Sequence, residues 1–201
     1  MRKPSKVMKR RISVSVLLLV VVVMCASYFA HTTTAQASRD DAGAAAAFEA
    51  IVPVLHHPRC MNCHSAGDYP RQGDDGHPHV MEVRRGPDGH GVTAQKCSTC
   101  HQDHNTAGLN MPPGAEDWHL PSAKMPMIWE GLSNGQLCQL FKDPKQNGGR
   151  NVQQIVEHMN TPLVLWGWNP GEGRTAIPMS RQDFEAKLHE WADKGAACPG
   201  S

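Results

Sequence analysis

Cys60-Met61-Asn62-Cys63-His64 and Cys97-Ser98-Thr99-Cys100-His101 are two copies of one pattern, C-x-x-C-H. Two thiols three residues apart on a tight turn reach the two vinyl groups of a porphyrin and form thioethers, and the next residue projects its imidazole at the iron. This is the attachment signature of a c-type haem. It predicts two covalently bound haem c groups, held by Cys60, Cys63, Cys97 and Cys100, with His64 and His101 as proximal iron ligands.

Other uses of four cysteines fit less well. A zinc ribbon separates its two C-x-x-C pairs by roughly 15 to 20 residues, whereas 33 residues lie between Cys63 and Cys97. A disulfide pair or a thioredoxin-like redox site is permitted in an oxidising compartment. Neither of them, nor zinc, calls for a histidine directly after each pair.

The compartment follows from the start of the chain. A basic head, MRKPSKVMKRR, precedes an apolar run from Val14 to Phe29, and Ala35-Gln36-Ala37 offers the small residues of a leader-peptidase site. Residues 1–37 read as an export signal, with a retained membrane anchor as the alternative, because Ile12 to Ala30 is 19 residues long and nearly free of polar groups. Either way residues 38–201 face the exported side, which is periplasmic or extracellular, and a membrane is a partner only if the leader stays as an anchor.

Composition agrees with a body organised around something other than side chains. Only 40% of the 201 residues are hydrophobic and 5% aromatic, while 18 glycines and 15 prolines imply many turns. Two large flat macrocycles repair that thin core, since apolar burial stabilises by about 25 cal/mol per Å². The net charge of +1 conceals an asymmetry: all six basic residues of the leader are unbalanced, and the remainder carries 14 Lys and Arg against 19 Asp and Glu. An acidic body does not suit nucleic-acid phosphates, so that partner is excluded.

Cys60 and Cys97 are only 37 residues apart, too close for two tandem one-haem domains, so a single mainly α, loop-rich, multihaem cytochrome c-like domain is expected over 38–201. Asp40 and Asp41 cap a helix over Ala42 to Val52 that Pro53 ends. Ser65 to Val92 and Asn105 to Met127, rich in Gly, Pro and polar residues, read as loops that wrap the haem faces. Leu132 to Lys142 and Asn151 to Asn160 have helical spacing, and Ser180 with Asp183 starts a helix that Gly195 stops. Trp118, Trp129, Trp166, Trp168 and Trp191 are expected to pack the haem pockets. Cys138 and Cys198, left over in an oxidising compartment, pair most economically as a disulfide.

The sixth ligand on each iron separates electron carriage from small-molecule chemistry, because an iron with two protein axial ligands has no open position. Candidates are His56, His57, His77, His79, His90, His104 and His119, with Met81, Met111, Met125 and Met127. His79 and His119 are favoured, each in a loop able to return over a haem, and Met111 before two prolines is the main competitor. His158 and His189 read as solvated helix histidines, because the apolar faces of their helices are what pack.

Several segments carry a family resemblance: Pro58-Arg59-Cys60-Met61-Asn62-Cys63-His64, Arg85-Gly86-Pro87-Asp88-Gly89, Cys97-Ser98-Thr99-Cys100-His101-Gln102, Met111-Pro112-Pro113-Gly114-Ala115 and Lys142-Asp143-Pro144. Together they resemble small exported dihaem proteins labelled isoquinoline 1-oxidoreductase subunit, over roughly Val52 to Pro199. The resemblance implies a cytochrome that accepts electrons from a molybdenum hydroxylase and passes them to a terminal acceptor. Motifs for a molybdopterin or an iron–sulfur cluster are absent from this sequence. The expectation is therefore an electron-transfer subunit rather than an enzyme, the alternative being a small dihaem peroxidase or reductase with one open iron.

Overall fold

The computed structural model describes residues 39–200, and the export-signal reading of 1–37 lies outside them. The first helix, α1 (Asp41–Leu55), starts where Asp40 accepts a hydrogen bond from the Gly43 amide. It buries Ala44, Ala47, Phe48, Ile51, Val52, Val54 and Leu55. The helix was expected to end at Pro53, and it continues one turn further. Proline removes one helical donor and crowds the preceding turn, but here the cost is offset by burying Val54 and Leu55, both about 1% exposed. The chain then passes through His57, whose ring accepts from the Arg59 amide, into the single turn α2 (Pro58–Met61) that carries Cys60.

Between the first cysteine motif and residue 133 regular structure is sparse, as the Gly- and Pro-rich composition requires. Two two-residue hairpins pair Arg71–Gln72 with His77–Pro78 and Gly91–Val92 with Gln95–Lys96, both antiparallel. Single 3-10 turns lie at Val80–Glu82 and Cys97–Thr99, and the rest up to Ser133 is turn and extended chain.

The C-terminal third supplies the helical frame. Ser133 caps α3 (Asn134–Lys142) and Asn151 caps α4 (Val152–His158), each through a reciprocal capping box with Gln136 and Gln154. The caps place both starts a residue or two later than the apolar spacing alone, because a capping residue keeps a non-helical backbone. The short α5 (Pro162–Leu165) runs into a 3-10 turn at Trp166–Trp168. Ser180 then caps α6 (Arg181–Asp193) by accepting from the Asp183 amide. Gly195, at φ +100°, turns the chain out of that helix.

Helices α1 and α6 pack along each other and meet α3 and α4 in one apolar cluster. Phe48 is its hinge, lying 5.3 Å from the Trp191 ring and 5.8 Å edge-on from Phe141. Trp191 thus belongs to this interhelical core and not to a haem pocket as expected; α6 presents it to α1, with Nε1 donating to the Ala197 carbonyl. The fold is mainly helical and loop-rich, and no helix among the described residues is long and apolar enough to cross a membrane.

Cys138 and Cys198 are bonded, joining α3 to the chain end. The bridge closes a span of 60 residues, for which restriction of the unfolded chain is worth roughly 4 kcal/mol. Cys138→Ala/Cys198→Ala is expected to lose stability of about that size in urea unfolding, and reductant should reproduce the loss in the parent chain and leave the double variant unchanged.

Candidate functional site

The two cysteine motifs adopt the same local turn. In the first, the amides of Cys63 and His64 both donate to the Cys60 carbonyl at 3.2 Å; in the second, those of Cys100 and His101 donate to the Cys97 carbonyl at 3.1 and 2.9 Å. A backbone wound this way sets both thiols of a pair and the next imidazole on one side of the turn.

Each motif is then clamped by a returning segment. Along the first, the Trp129 amide donates to the His64 carbonyl (2.8 Å), the Ala66 amide to Glu130 (2.8 Å), and His64 Nδ1 to the Met127 carbonyl (2.9 Å). Met127 sits at φ +43°, in the left-handed region a side chain seldom occupies. Along the second, His104 bridges Ala115, and His101 Nδ1 donates to the Pro113 carbonyl at 2.7 Å. Each imidazole also lies parallel to a tryptophan, His64 on Trp129 at 3.6 Å and His101 on Trp118 at 4.5 Å, both within 2° of coplanar.

The consequence is chemical. A carbonyl partner on Nδ1 fixes the tautomer with the proton there and leaves the Nε2 lone pair free, which is the state required of an iron-ligating histidine. Burial also keeps these rings neutral. The His64 pKa is pushed down to about 4 by desolvation, and that of His101 is lowered for the same reason.

The thiols are unpaired. Desolvation lifts Cys60 to about 12 and Cys63 to about 11, and it raises Cys97 as well. A thioredoxin-like site needs the opposite shift, toward thiolate near neutral pH. Among the described residues the four sulfurs do not converge as a metal cluster either. Zinc and dithiol redox chemistry thus lack the geometry they need.

A cleft opens beside the first motif and is walled mainly by apolar groups of α1, α3, α4 and α5. Cys60, Cys63 and His64 stand on one side of it, and Trp118, Trp129, Trp166 and Trp168 line it. The residues fit a covalently held porphyrin on two counts. The wall is apolar, and Trp129 Nε1, buried against it, has no hydrogen-bond partner, an orphan donor that a porphyrin carboxylate suits.

His158, expected to be solvated at the end of α4, instead lines this cleft. It lies near enough to His64 to depress that ring's pKa, and its own is pushed to about 4 by burial. Its helix ends at the cleft, so the terminal histidine points inward although it sits off the apolar stripe; the helical spacing held no signal for that. His119 also lines the cleft, but its Nδ1 donates to the Asp117 carbonyl and it shares a cluster with His90.

At the second motif His79 lies 6.1 Å from His101, ring centre to ring centre, with Nδ1 donating to the Val80 carbonyl at 2.6 Å. This site is shallower than the first, for Cys100 is exposed. Met111, the competing sulfur ligand, is itself 43% exposed.

The two sites share a wall. Trp118 lines the first cleft and stacks on the imidazole of the second, and the Cys63 thiol feels that of Cys97. Trp166 meets Trp118 edge-on at 4.9 Å and donates through Nε1 to Asn105 Oδ1, which also accepts from the Gly114 amide. Asn105 Nδ2 donates to the Asn169 carbonyl. No family model, no curated protein and no solved structure matches the chain.

Because Asn105 ties the wall to the segment that holds His101, Asn105→Ala should cost about 2 to 3 kcal/mol, one net contribution for each of its three hydrogen bonds. Urea unfolding at neutral pH measures this, and a loss below about 0.5 kcal/mol would show that the wall stands without it.

Proposed function

We propose that the chain is an exported dihaem c-type cytochrome that carries electrons, with Cys60, Cys63 and His64 holding one haem and Cys97, Cys100 and His101 the other. The observation that carries this reading is the twofold repetition of one arrangement: a C-x-x-C-H turn whose imidazole is hydrogen-bonded through Nδ1 and stacked on a tryptophan. Nothing in four free thiols or in a structural role requires both histidines to be pinned alike.

A bound haem supplies a reversible one-electron couple at its iron, tuned by the axial ligands and the polarity around it. The chain's own residues do the rest. Met127 and Pro113 hold the two imidazoles in the tautomer that offers Nε2. Trp129 and Trp118 fix the ring planes. His79 would help His101 hold its haem, and His158 or His119 would help His64 hold the other, with His158 favoured because α4 delivers it into the cleft and His119 is engaged by Asp117.

Were His79 and His158 to hold the haems together with His101 and His64, no position would be left for a small molecule, which favours electron carriage over a peroxidase or reductase. Two couples on either side of the shared tryptophan wall would lie in one low-dielectric body, so charge added at one would lower the potential of the other. The electron donor in this reading is a dehydrogenase such as a molybdenum hydroxylase, following the family resemblance, and the acceptor is a terminal redox protein.

The test begins with composition: mass spectrometry and the pyridine haemochrome should count two haems per chain, and one in Cys60→Ala/Cys63→Ala. The reduced parent should show no spectral change with carbon monoxide. His79→Ala and His158→Ala should each open one iron to carbon monoxide while keeping both haems, and a His119→Ala variant should not. A parent that binds carbon monoxide would instead favour the small-enzyme reading, and a chain without covalent haem would end both.

A further inference from the structure

Three candidates stand outside the two motifs: the exposed apolar residues Val80 and Met81, the carbonyl-bound buried guanidinium of Arg85, and a cluster of two histidines and an aspartate. The first has no feature that specifies a partner. The second is satisfied as a staple, donating to the Pro121 and Gly67 carbonyls at 2.6 and 3.2 Å. The third has the chemistry of a ligand set.

From the juxtaposition of His90, Asp117 and His119 we infer a binding site for one divalent transition cation of the zinc class. One ligand atom from each of the three lies within 4.8 Å of the others. His90 Nε2 is 2.9 Å from one Asp117 carboxylate oxygen and His119 Nδ1 is 3.3 Å from the other. In a tetrahedral site with metal–nitrogen and metal–oxygen bonds of 2.0 to 2.1 Å, neighbouring ligand atoms stand about 3.3 Å apart. The three residues therefore stand close enough for small side-chain shifts to bring two imidazole nitrogens and one carboxylate oxygen onto one ion. Two imidazoles with one carboxylate, leaving a position for water, suit zinc, copper or nickel better than calcium or magnesium.

The backbone builds this arrangement deliberately. The Leu120 amide donates to the Gly89 carbonyl at 2.9 Å, locking 88–90 against 117–120. Gly89, at φ +90°, permits the contact, since a Cβ there would collide with the Leu120 carbonyl. The lock sets the His90 and His119 rings face to face, 5.1 Å apart and 25° from parallel. Behind His90, the Asp88 carboxylate faces Nδ1 at 3.7 Å and accepts from the His90 amide. Asp88 thus stands behind the ring, at the nitrogen opposite the one that donates to Asp117, where a carboxylate orients a metal-ligating histidine.

Binding requires two local changes. His90 Nε2 now donates to Asp117 Oδ1; on loading, that proton moves to Nδ1, on the side of Asp88, and Nε2 offers its lone pair to the ion. His119 Nδ1 now donates to the Asp117 carbonyl; its proton moves to Nε2 and Nδ1 turns to the ion, so both rings stay neutral. Of the three ligands, His90 and Asp117 lie outside the cleft and His119 lines it, so the site rests on His158 rather than His119 serving His64. The ion would crosslink two loops now joined by backbone hydrogen bonds, His–Asp contacts and the bond from Arg85 to the Pro121 carbonyl.

Isothermal titration of the full mature chain, stripped with chelator, with zinc chloride at pH 7.5 tests this. One zinc per chain is expected, with a rise in melting temperature, because a ligand that binds only the folded state stabilises it. His90→Ala and Asp117→Asn should each weaken binding tenfold or more and abolish the rise, and His189→Ala, on α6, should change neither. The haem content and visible spectrum of His90→Ala should match the parent, which separates this site from those of His64 and His101. Absence of saturable one-to-one binding, or equal affinity in the parent and both cluster variants, would overturn the inference.

Discussion

The two histidines that follow the C-x-x-C pairs are held by one device, a backbone carbonyl on Nδ1, and much of the loop region serves to bring those carbonyls into place. His64 and His101 each give their Nδ1 proton to a carbonyl lying 63 and 12 residues further along the chain. Those carbonyls, of Met127 and Pro113, are held in turn by segments that run back along the motifs they serve. Remove either clamp and the imidazole is free to rotate and change tautomer. The long irregular stretch between Ser65 and Ser133 is therefore ordered by its ends and its hydrogen bonds more than by regular structure, as expected of backbone whose polar groups must be satisfied without a helix or sheet.

The helices answer a different need. Clusters of Phe, Leu and Trp from α1, α3, α4 and α6 form an ordinary apolar core, stapled by the Cys138–Cys198 bond. Its outer face becomes the wall of the cleft: Val54 and Leu55 from α1, Leu140 and Phe141 from α3, Ile155 and His158 from α4. This explains why α1 runs through Pro53. Stopping at the proline would leave the last two apolar residues out of that wall. Arg59, whose side chain is 2% exposed, anchors the same corner by pairing with Asp74 and donating to the Gly73 carbonyl, so the first motif is tied to the hairpin region as well as to the core.

The segments that carry the family resemblance acquire physical reasons here. In Arg85-Gly86-Pro87-Asp88-Gly89, Arg85 staples two loops through carbonyls, while Gly86 and Gly89 both adopt positive φ where a Cβ would strike a neighbouring carbonyl. In Met111-Pro112-Pro113-Gly114-Ala115, Pro113 offers the carbonyl for His101 and Gly114 passes close beneath the Gln102 and His104 carbonyls. Asn105, unremarkable in the sequence, proves to be the knot that joins this segment to Trp166 and Asn169.

By itself the sequence determined the two repeated C-x-x-C-H segments, the helical cap at Ser180, the stop at Gly195 and the economy of pairing Cys138 with Cys198. All of these are local rules, or rules of counting, and need no knowledge of what packs where. Only the tertiary structure decided which histidines face the motif imidazoles. His79 stands across from His101, as its loop position suggested. His158 enters the first cleft from a helix end where spacing read it as solvated, and His119 is drawn instead toward Asp117 and His90. Such choices depend on contacts between residues 22 to 94 positions apart, fixed by loop paths and helix packing, and sequence periodicity describes one element at a time. For the same reason Trp191 went to the interhelical core and its four counterparts to the cleft: identical side chains, sorted by the neighbours that folding brought to them.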